Sequence, residues 1–177
     1  IRCGLLPSLC TASIGAAVHT IPLLQTTLLG TEVGQYGRPA ALGPNAVLVR
    51  TPSFFKAQLT AAAFIEHYTR VADASPIPIL LYNYTALTGV TLPPDAVATL
   101  ARHPNIAGMK ESGTDETLIS AYGAHASATF RLLGGTVTAL HASMAAGATG
   151  AILATAVVAP RQCVDLFDLF KAGRDAD

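Results

Sequence analysis

The chain has 177 residues, enough for one domain with a hydrophobic core. Apolar residues make up 51% of it, charged residues make up 12%, and the net charge is zero. This composition excludes a disordered chain, and no basic cluster indicates nucleic acid or a lipid surface, so we expect neither as a partner. Because the chain is so apolar and so weakly charged, we expect part of its surface to be buried against other subunits.

Cysteine and histidine do not have the spacing of a metal site. The three cysteines, Cys3, Cys10 and Cys163, are odd in number, and the five histidines form no i, i+4 pair. We therefore expect no metal, no cofactor and no disulfide framework, and a reducing compartment, cytoplasmic or mitochondrial. Residues 5–29 are apolar overall, but polar residues and Pro22 interrupt them, so no membrane span is predicted.

From about residue 45, short apolar runs alternate with amphipathic stretches. The pattern predicts strands at residues 46–51, 78–83, 105–110, 129–134 and 150–154. Helices are predicted at 60–73, from Pro93 to near His103, from Thr114 onward, at 136–146 and from Pro160 to Gly173. Residues 1–44 have poor periodicity, so we divide the chain into an N-terminal segment, 1–44, and a domain, 45–177.

Five consecutive βα units predict parallel strands with helices outside them. No Gly-rich phosphate fingerprint follows any strand, which favours a (β/α)8 TIM barrel over an open doubly wound sheet that binds nucleotides. Five strands cannot close an eight-stranded barrel, which takes about 250 residues. We therefore predict an α/β fold that is an incomplete TIM barrel. The first residue, Ile1, agrees with a processed chain, a fragment or a partial gene product.

Two predicted strands end in side chains suited to carbonyl chemistry, Lys110 and Tyr82. In an α/β barrel, catalysis takes place at the carboxyl ends of the strands. Burial among apolar neighbours lowers the pKa of a lysine amine, and the neutral amine forms an imine that permits C–C cleavage or formation. A tyrosine beside it can relay protons. Taken alone, a surface lysine and a half-buried aromatic explain these residues as well.

Three more residues near strand ends are candidates for the same site. Thr51 ends the first predicted strand and could hydrogen-bond Tyr82, while Ser112 and Gly135 could offer a hydroxyl or a backbone N–H to a carboxylate. For each of them alone, ordinary loop chemistry is the simpler explanation. The sequence contains no G-x-S-x-G elbow, no H-E-x-x-H and no P-loop.

Together these segments resemble the dihydrodipicolinate synthase / N-acetylneuraminate lyase superfamily of class I aldolases. The order and spacing of the matching segments agree over about residues 41–173. The matching segments are Val49-Arg50-Thr51-Pro52, Leu81-Tyr82-Asn83 with Thr88-Gly89, residues 103–113, Leu133-Gly134-Gly135 and residues 147–152. Residues 67–73, 75–78 and 103–112 resemble the 4-hydroxy-2-oxoglutarate aldolase branch most closely.

The resemblance implies a TIM barrel, assembled as a homotetramer, that cleaves a 4-hydroxy-2-oxo acid to pyruvate and an aldehyde such as glyoxylate. Lys110 would form the imine and Tyr82 would relay protons. Ser112 and Gly135 would line the pocket for the keto acid, and Thr51 and Ile152 would lie nearby.

The sequence departs from the superfamily pattern at three places. Leu87 stands where dihydrodipicolinate synthases carry an arginine for a second carboxylate, which indicates the lyase branch. Ser53, Phe54 and Phe55 stand where a second tyrosine is lent to a neighbouring subunit. The early Gly-Ser/Thr-x-Gly-Glu loop, which binds the pyruvate carboxylate, has no clear counterpart.

Two alternatives to this aldolase remain open. One is a catalytically silent, truncated homologue, unstable alone or associated with a full-length relative. The other is a related lyase or synthase of the superfamily, such as a dihydrodipicolinate synthase or an aldolase acting on a sugar-derived keto acid.

Overall fold

All five predicted strands are present, and they belong to one parallel sheet. The computed structural model describes residues 23–26 and 45–174. Its strands run in the order β1 to β6, with bounds Leu23–Thr26, Ala46–Arg50, Ile79–Asn83, Ile106–Glu111, Arg131–Gly134 and Gly150–Ala151. Each strand pairs with the next one in the sequence, so the strand order never reverses as it does in a doubly wound sheet. Because such crossovers share one hand, the helices lie on one side, as in the wall of a TIM barrel.

The helices follow the strands as the sequence predicts, with bounds Ala61–Ala74 (α1), Thr85–Thr88 (α2), Pro94–Leu100 (α3), Glu116–Gly123 (α4), Leu140–Ala145 (α5) and Pro160–Lys171 (α6). The Thr60 hydroxyl caps α1 by accepting the Ala63 N–H at 3.2 Å. The Asp115 carboxylate caps α4 in the same way. Proline occupies the first turn of α3 and α6, where its missing N–H costs nothing.

Two predicted elements are shorter than expected. The helix predicted at 136–146 begins as a 3-10 turn, Val137–Ala139, because the Thr136 hydroxyl contacts that of Thr138 instead of capping the backbone. The strand predicted at 150–154 pairs only over Gly150–Ala151, since the chain turns into a 3-10 helix at Ala154–Val157. Two further 3-10 or short helical turns lie elsewhere, at Lys56–Gln58 and in α2.

The strand β1 lies inside the segment whose periodicity predicted no element. It pairs in parallel with β2, with Leu23 opposite Ala46 and Thr26 opposite Val49. Part of the 1–44 segment therefore continues the sheet. The rest of that segment, residues 1–22 and 27–44, lies outside the described residues.

Side chains alternate between two apolar layers along each strand, as the two-residue period of a β-strand requires. The outer layer packs against the helices and contains Val47, Val49, Ile79, Leu81 and Met109 with Phe64, Tyr68 and Leu100. The inner layer contains Ala46, Leu48, Leu80, Tyr82 and Ile152. An interior filled by side chains is typical of a barrel. None of the helices in these ranges is long and apolar enough to cross a bilayer.

A polar clamp joins α1 to the start of β4. The Asn105 side-chain amide donates to the carbonyls of Ala72 at 2.8 Å and Ser75 at 2.9 Å. His103 contacts the Asp73 carboxylate at 3.1 Å. This clamp lies at the amino ends of the strands, where residues of a barrel serve stability.

We predict that Gly108→Ala destabilises the fold by roughly 2–4 kcal/mol. Gly108 has a φ of 155°, and a methyl group there would lie 2.2 Å from the Arg131 carbonyl oxygen on β5. Gly147→Ala is the matched control, because its φ is also positive, at 95°, but no atom lies within 4 Å of the added methyl. Gly147→Ala should cost about 1–2 kcal/mol, the penalty for an L-residue at positive φ alone. Urea unfolding measures both, and equal losses would contradict the steric argument.

Candidate active site

The inner face of the sheet carries a row of side chains in register. Parallel pairing sets Arg50 opposite Tyr82, Tyr82 opposite Lys110, and Lys110 opposite Leu133. The row lies near the carboxyl ends of β2 to β5, the end of a barrel where ligands bind. Neighbouring strands are about 4.8 Å apart, so the side chains of adjacent members of the row can touch.

Lys110 is a buried amine with an aromatic ring as its neighbour. Only 8% of the residue is exposed, and its Nζ lies 4.3 Å from the centroid of the Tyr82 ring. No carboxylate of the described residues forms an ion pair with it; the two ion pairs found there are Arg70–Glu66 and His103–Asp73. Burial therefore lowers the pKa of Lys110 from 10.5 to about 8. A substantial share of the amine is neutral in mildly alkaline solution.

Tyr82 is buried between Lys110 and Tyr84. Its ring stacks on that of Tyr84, with centroids 6.3 Å apart and an interplanar angle of 23°. Burial raises the pKa of Tyr82, while the nearby Ser112 hydroxyl and the Arg50 guanidinium act in the opposite direction. The Ser112 hydroxyl lies near that of Tyr82, but the two do not reach hydrogen-bond geometry, and the Ser112 Oγ is buried without a partner in the described residues.

The structure brings the other predicted residues to the same strand ends. The Ser112 N–H donates to the Asn83 carbonyl at 3.0 Å, and the Ile152 N–H donates to the Gly134 carbonyl at 2.8 Å. Gly135 lies against Ser112 so closely that a Cβ would stand 2.1 Å from the Ser112 Oγ. Because Gly135 has no side chain, the Ser112 hydroxyl can occupy its position without a steric clash.

The predicted hydrogen bond between the Thr51 hydroxyl and Tyr82 is not formed. The Thr51 backbone N–H instead donates to the Tyr82 carbonyl at 3.1 Å, because Thr51 continues the ladder of β2 by one residue. Its Oγ1 is buried and has no partner among the described residues. Thr51 therefore stays a neighbour of Tyr82 through its backbone.

Glu111 is a buried carboxylate on the outer face of the sheet, behind Lys110, and the sequence analysis did not identify it. Glu111 follows Lys110 on β4, so it faces the helix layer. The Asn83 amide donates to Glu111 Oε2 at 2.6 Å, and the Gly113 N–H donates to Oε1. Burial raises the pKa of Glu111, and these two hydrogen bonds oppose that rise. The Asn83 Oδ1 accepts the Leu92 N–H at 2.9 Å, which ties three segments of the chain together.

Arg50 is the second residue that sequence reasoning missed. It is half-buried, it neighbours Tyr82 in register, and its Nε is buried without a hydrogen-bond partner in the described residues. The alternation of Ala46-Val47-Leu48-Val49-Arg50 was a usable signal, because it places Arg50 on the same face as Ala46 and Leu48.

The described residues hold no group of three or more His, Cys, Asp or Glu side chains that could bind a metal ion. The site consists instead of an amine, a phenol, a hydroxyl and a guanidinium on an apolar floor. This arrangement suits nucleophilic attack on the carbonyl carbon of an anionic compound.

Comparison with known proteins supports this interpretation. The sequence model of the dihydrodipicolinate synthetase family matches residues 32–177. A probable mitochondrial 4-hydroxy-2-oxoglutarate aldolase from Emericella nidulans is 38% identical over 136 residues, which cover 76% of this chain and 44% of that protein. A 4-hydroxy-tetrahydrodipicolinate synthase from Exiguobacterium sp. is also 38% identical, over 77% of this chain and 46% of its own length. The chain thus spans about half the length of the curated relatives it matches.

Solved structures give the same result for the fold. The prophage protein YagE from E. coli K12, a dihydrodipicolinic acid synthase family member in complex with pyruvate, has a TM-score of 0.77 and 28% identity, covering 87% of this chain and 53% of YagE. A putative dihydrodipicolinate synthase from Thermus thermophilus has a TM-score of 0.78 and 33% identity, covering 87% of this chain and 54% of that protein.

We predict that Lys110→Met stabilises the protein by about 1–3 kcal/mol at pH 7. A pKa of about 8 in place of 10.5 means that protonating the buried amine costs stability, and the Tyr82 ring recovers part of that cost. The cost is fully present below pH 8 and fades as the pH rises towards 10.5. The advantage of the variant should therefore shrink over that window.

Chemical denaturation at several pH values measures this difference. Lys171→Met is the control, because Lys171 is exposed and its replacement should change stability by less than about 0.5 kcal/mol. If Lys110→Met instead lowered the free energy of unfolding, burial of the protonated Lys110 amine would not be destabilising, and the prediction would be wrong.

Proposed function

Because the chain belongs to the dihydrodipicolinate synthetase family, we propose that it is a class I aldolase in which Lys110 forms an imine with a 2-oxo acid. The observation that carries the proposal is the buried Lys110 amine, whose Nζ lies 4.3 Å from the centre of the Tyr82 ring at the carboxyl end of the sheet. The lowered pKa of this amine supports it, since only the neutral amine attacks a carbonyl.

The reaction follows from these two side chains. The neutral Lys110 amine adds to C2 of the oxo acid to form a carbinolamine. Tyr82 gives its proton to the departing hydroxyl, so water leaves and a protonated imine and the Tyr82 phenolate remain. Tyr82, once deprotonated, takes the proton of the C4 hydroxyl, the C3–C4 bond breaks, and its electron pair moves into the imine to form an enamine. The aldehyde leaves, C3 takes a proton, and water hydrolyses the imine to release pyruvate and the free amine.

The remaining pocket residues take positioning roles in this proposal. Ser112 and Gly135 line the β4–β5 side, where a hydroxyl and backbone can hold the carboxylate next to C2. Ile152 contributes to the apolar floor with Tyr82, and Thr51 holds the Tyr82 backbone from the other side. These apolar surroundings lower the pKa of Lys110, so a larger fraction of the amine is neutral than in water.

A 4-hydroxy-2-oxoglutarate-type substrate, cleaved to pyruvate and glyoxylate, is the substrate we propose. The relative from Emericella nidulans carries that activity in its name, whereas the equally identical relative from Exiguobacterium is named as a synthase. Leu87, which is 63% exposed, gives no cation where the resemblance places an arginine in synthases. This difference favours the aldolase over the synthase.

A catalytically silent family member is the second candidate. In the described residues, β1 and β6 each pair with one neighbour only, so the wall around the pocket is open there. A homotetramer and a cytoplasmic or mitochondrial location stay predictions from the resemblance, and the Emericella relative is named as mitochondrial.

The experiment is a turnover assay of the 177-residue chain with 4-hydroxy-2-oxoglutarate, in which lactate dehydrogenase detects released pyruvate. We expect kcat/KM to rise with pH through about 8, as the free Lys110 amine loses its proton. Lys110→Arg should abolish turnover, because arginine stays charged. Tyr82→Phe should lower kcat by roughly 10²- to 10⁴-fold.

Lys56→Arg is the matched control, since Lys56 is exposed and lies outside the row of inner-face residues. It should retain the wild-type rate. Absence of turnover in folded protein would favour the silent family member. Turnover that survives Lys110→Arg would contradict the imine mechanism.

A further inference from the structure

We propose that Arg50 binds the second carboxylate of a dicarboxylic substrate, at the end of the site that lies beyond Tyr82. This inference rests on the proposed function for its chemistry and assigns the substrate class to a residue outside the imine-forming pair. Three observations carry it: the order of groups across the sheet, the Arg50 Nε that is buried without a hydrogen-bond partner in the described residues, and the apolar side chain at Leu87.

The sheet sets the reacting groups in a line. Arg50, Tyr82 and Lys110 lie opposite one another on β2, β3 and β4, with Tyr82 in the middle. The backbone of Arg50 is therefore about 10 Å from that of Lys110, two strand spacings away. The Ser112 hydroxyl and Gly135 lie at the other end, on the β4–β5 side.

A substrate chain fits this line in one direction. C2 is bonded to Lys110 and the C4 oxygen must meet Tyr82, so atoms beyond C4 continue towards β2. In 4-hydroxy-2-oxoglutarate the next atom is the C5 carboxylate, about 4 Å from C2 in an extended chain. The side chains of Arg50 and Lys110 together span the remaining distance across two strands. The C1 carboxylate is left for the Ser112 side.

The Arg50 side chain is free to take such a ligand within the described part of the chain. Its Nε is buried without a hydrogen-bond partner, and neither of the two ion pairs found there involves it. Arg50 lies opposite Tyr82 in the register of β2 and β3, and its charge acts to lower the pKa of Tyr82. A buried Nε–H without a partner is costly, and a carboxylate can accept two parallel hydrogen bonds from a guanidinium, one of them from Nε.

The neighbouring loop offers no competing cation at the position of Leu87. Leu87 on α2 is apolar and largely exposed. The Lys56 Nζ lies against Gly89, just after α2. In this proposal the cation for the far carboxylate is Arg50, on the inner face of β2.

A binding experiment tests this without requiring turnover. The probes are 2-oxoglutarate, which lacks the C4 hydroxyl and cannot be cleaved, and 2-oxopentanoate, which has the same chain length and one carboxylate. Titration of the wild type, followed by thermal shift, should give a Kd for 2-oxoglutarate that is about 10- to 100-fold lower than the Kd for 2-oxopentanoate. Arg50→Gln should remove that preference, and Arg50→Lys should restore part of it.

Kinetics with paired aldehydes give a second measurement. With pyruvate as donor, Arg50→Gln should lower kcat/KM for glyoxylate by about 10- to 100-fold and for neutral glycolaldehyde by less than about threefold. Borohydride trapping of pyruvate on Lys110 should be unchanged. Arg131→Gln is the control, because Arg131 is exposed at the start of β5, and it should leave every one of these values unchanged.

The outcomes separate the two proposals. A wild type without preference for 2-oxoglutarate overturns the role of Arg50, as does an Arg50→Gln variant that keeps the preference. Loss of pyruvate trapping in folded Arg50→Gln also overturns it, because Arg50 would then serve the C1 carboxylate. A preference that depends on Arg50 in a chain without turnover would support Arg50 as the dicarboxylate-binding residue and reject the aldolase.

Discussion

The burial of the Lys110 amine is the constraint on which the rest of the site depends. An ammonium group in an apolar barrel interior is costly, so the chain holds it in place from both faces of β4. On the inner face the Tyr82 ring lies under the amine. On the outer face Glu111 is fixed by Asn83 and by the Gly113 N–H, which anchors the strand and the loop after it. The stability given up at Lys110 keeps part of its amine neutral, which is the form that the proposed imine mechanism requires.

Much of this arrangement could be predicted from the sequence because it depends on local periodicity and on one topological rule. The apolar runs and the helix caps predicted five βα units. Because active sites of barrels lie at the carboxyl ends of the strands, the sequence also predicted that Lys110 and Tyr82 lie close together. Thr88-Gly89 also matched the family pattern, and the structure gives it a local reason. Gly89 ends α2 in a left-handed conformation, with φ 65°, and the Thr88 hydroxyl donates to the Tyr84 and Val90 carbonyls.

What could not be predicted depends on contacts between distant segments. The strand β1 has no clear pattern of its own and is recognised by its pairing with β2. The Asn83–Glu111 hydrogen bond joins residues on two strands, and no sequence spacing announces it. The segments around Asp73 and His103 that resemble the hydroxy-oxoglutarate branch form a clamp at the amino ends of the strands. They stabilise the barrel from that end, so the substrate has to be inferred from the opposite end.

The most direct test is reductive trapping with pyruvate, because the chain contains only three lysines and two of them, Lys56 and Lys171, are exposed comparators. The protein is incubated with pyruvate, reduced with borohydride and digested, and the modified lysine is located by mass spectrometry. We expect one adduct, on Lys110, whose yield rises as the pH passes about 8. Equal modification of all three lysines, or none in a folded sample, would contradict the imine mechanism.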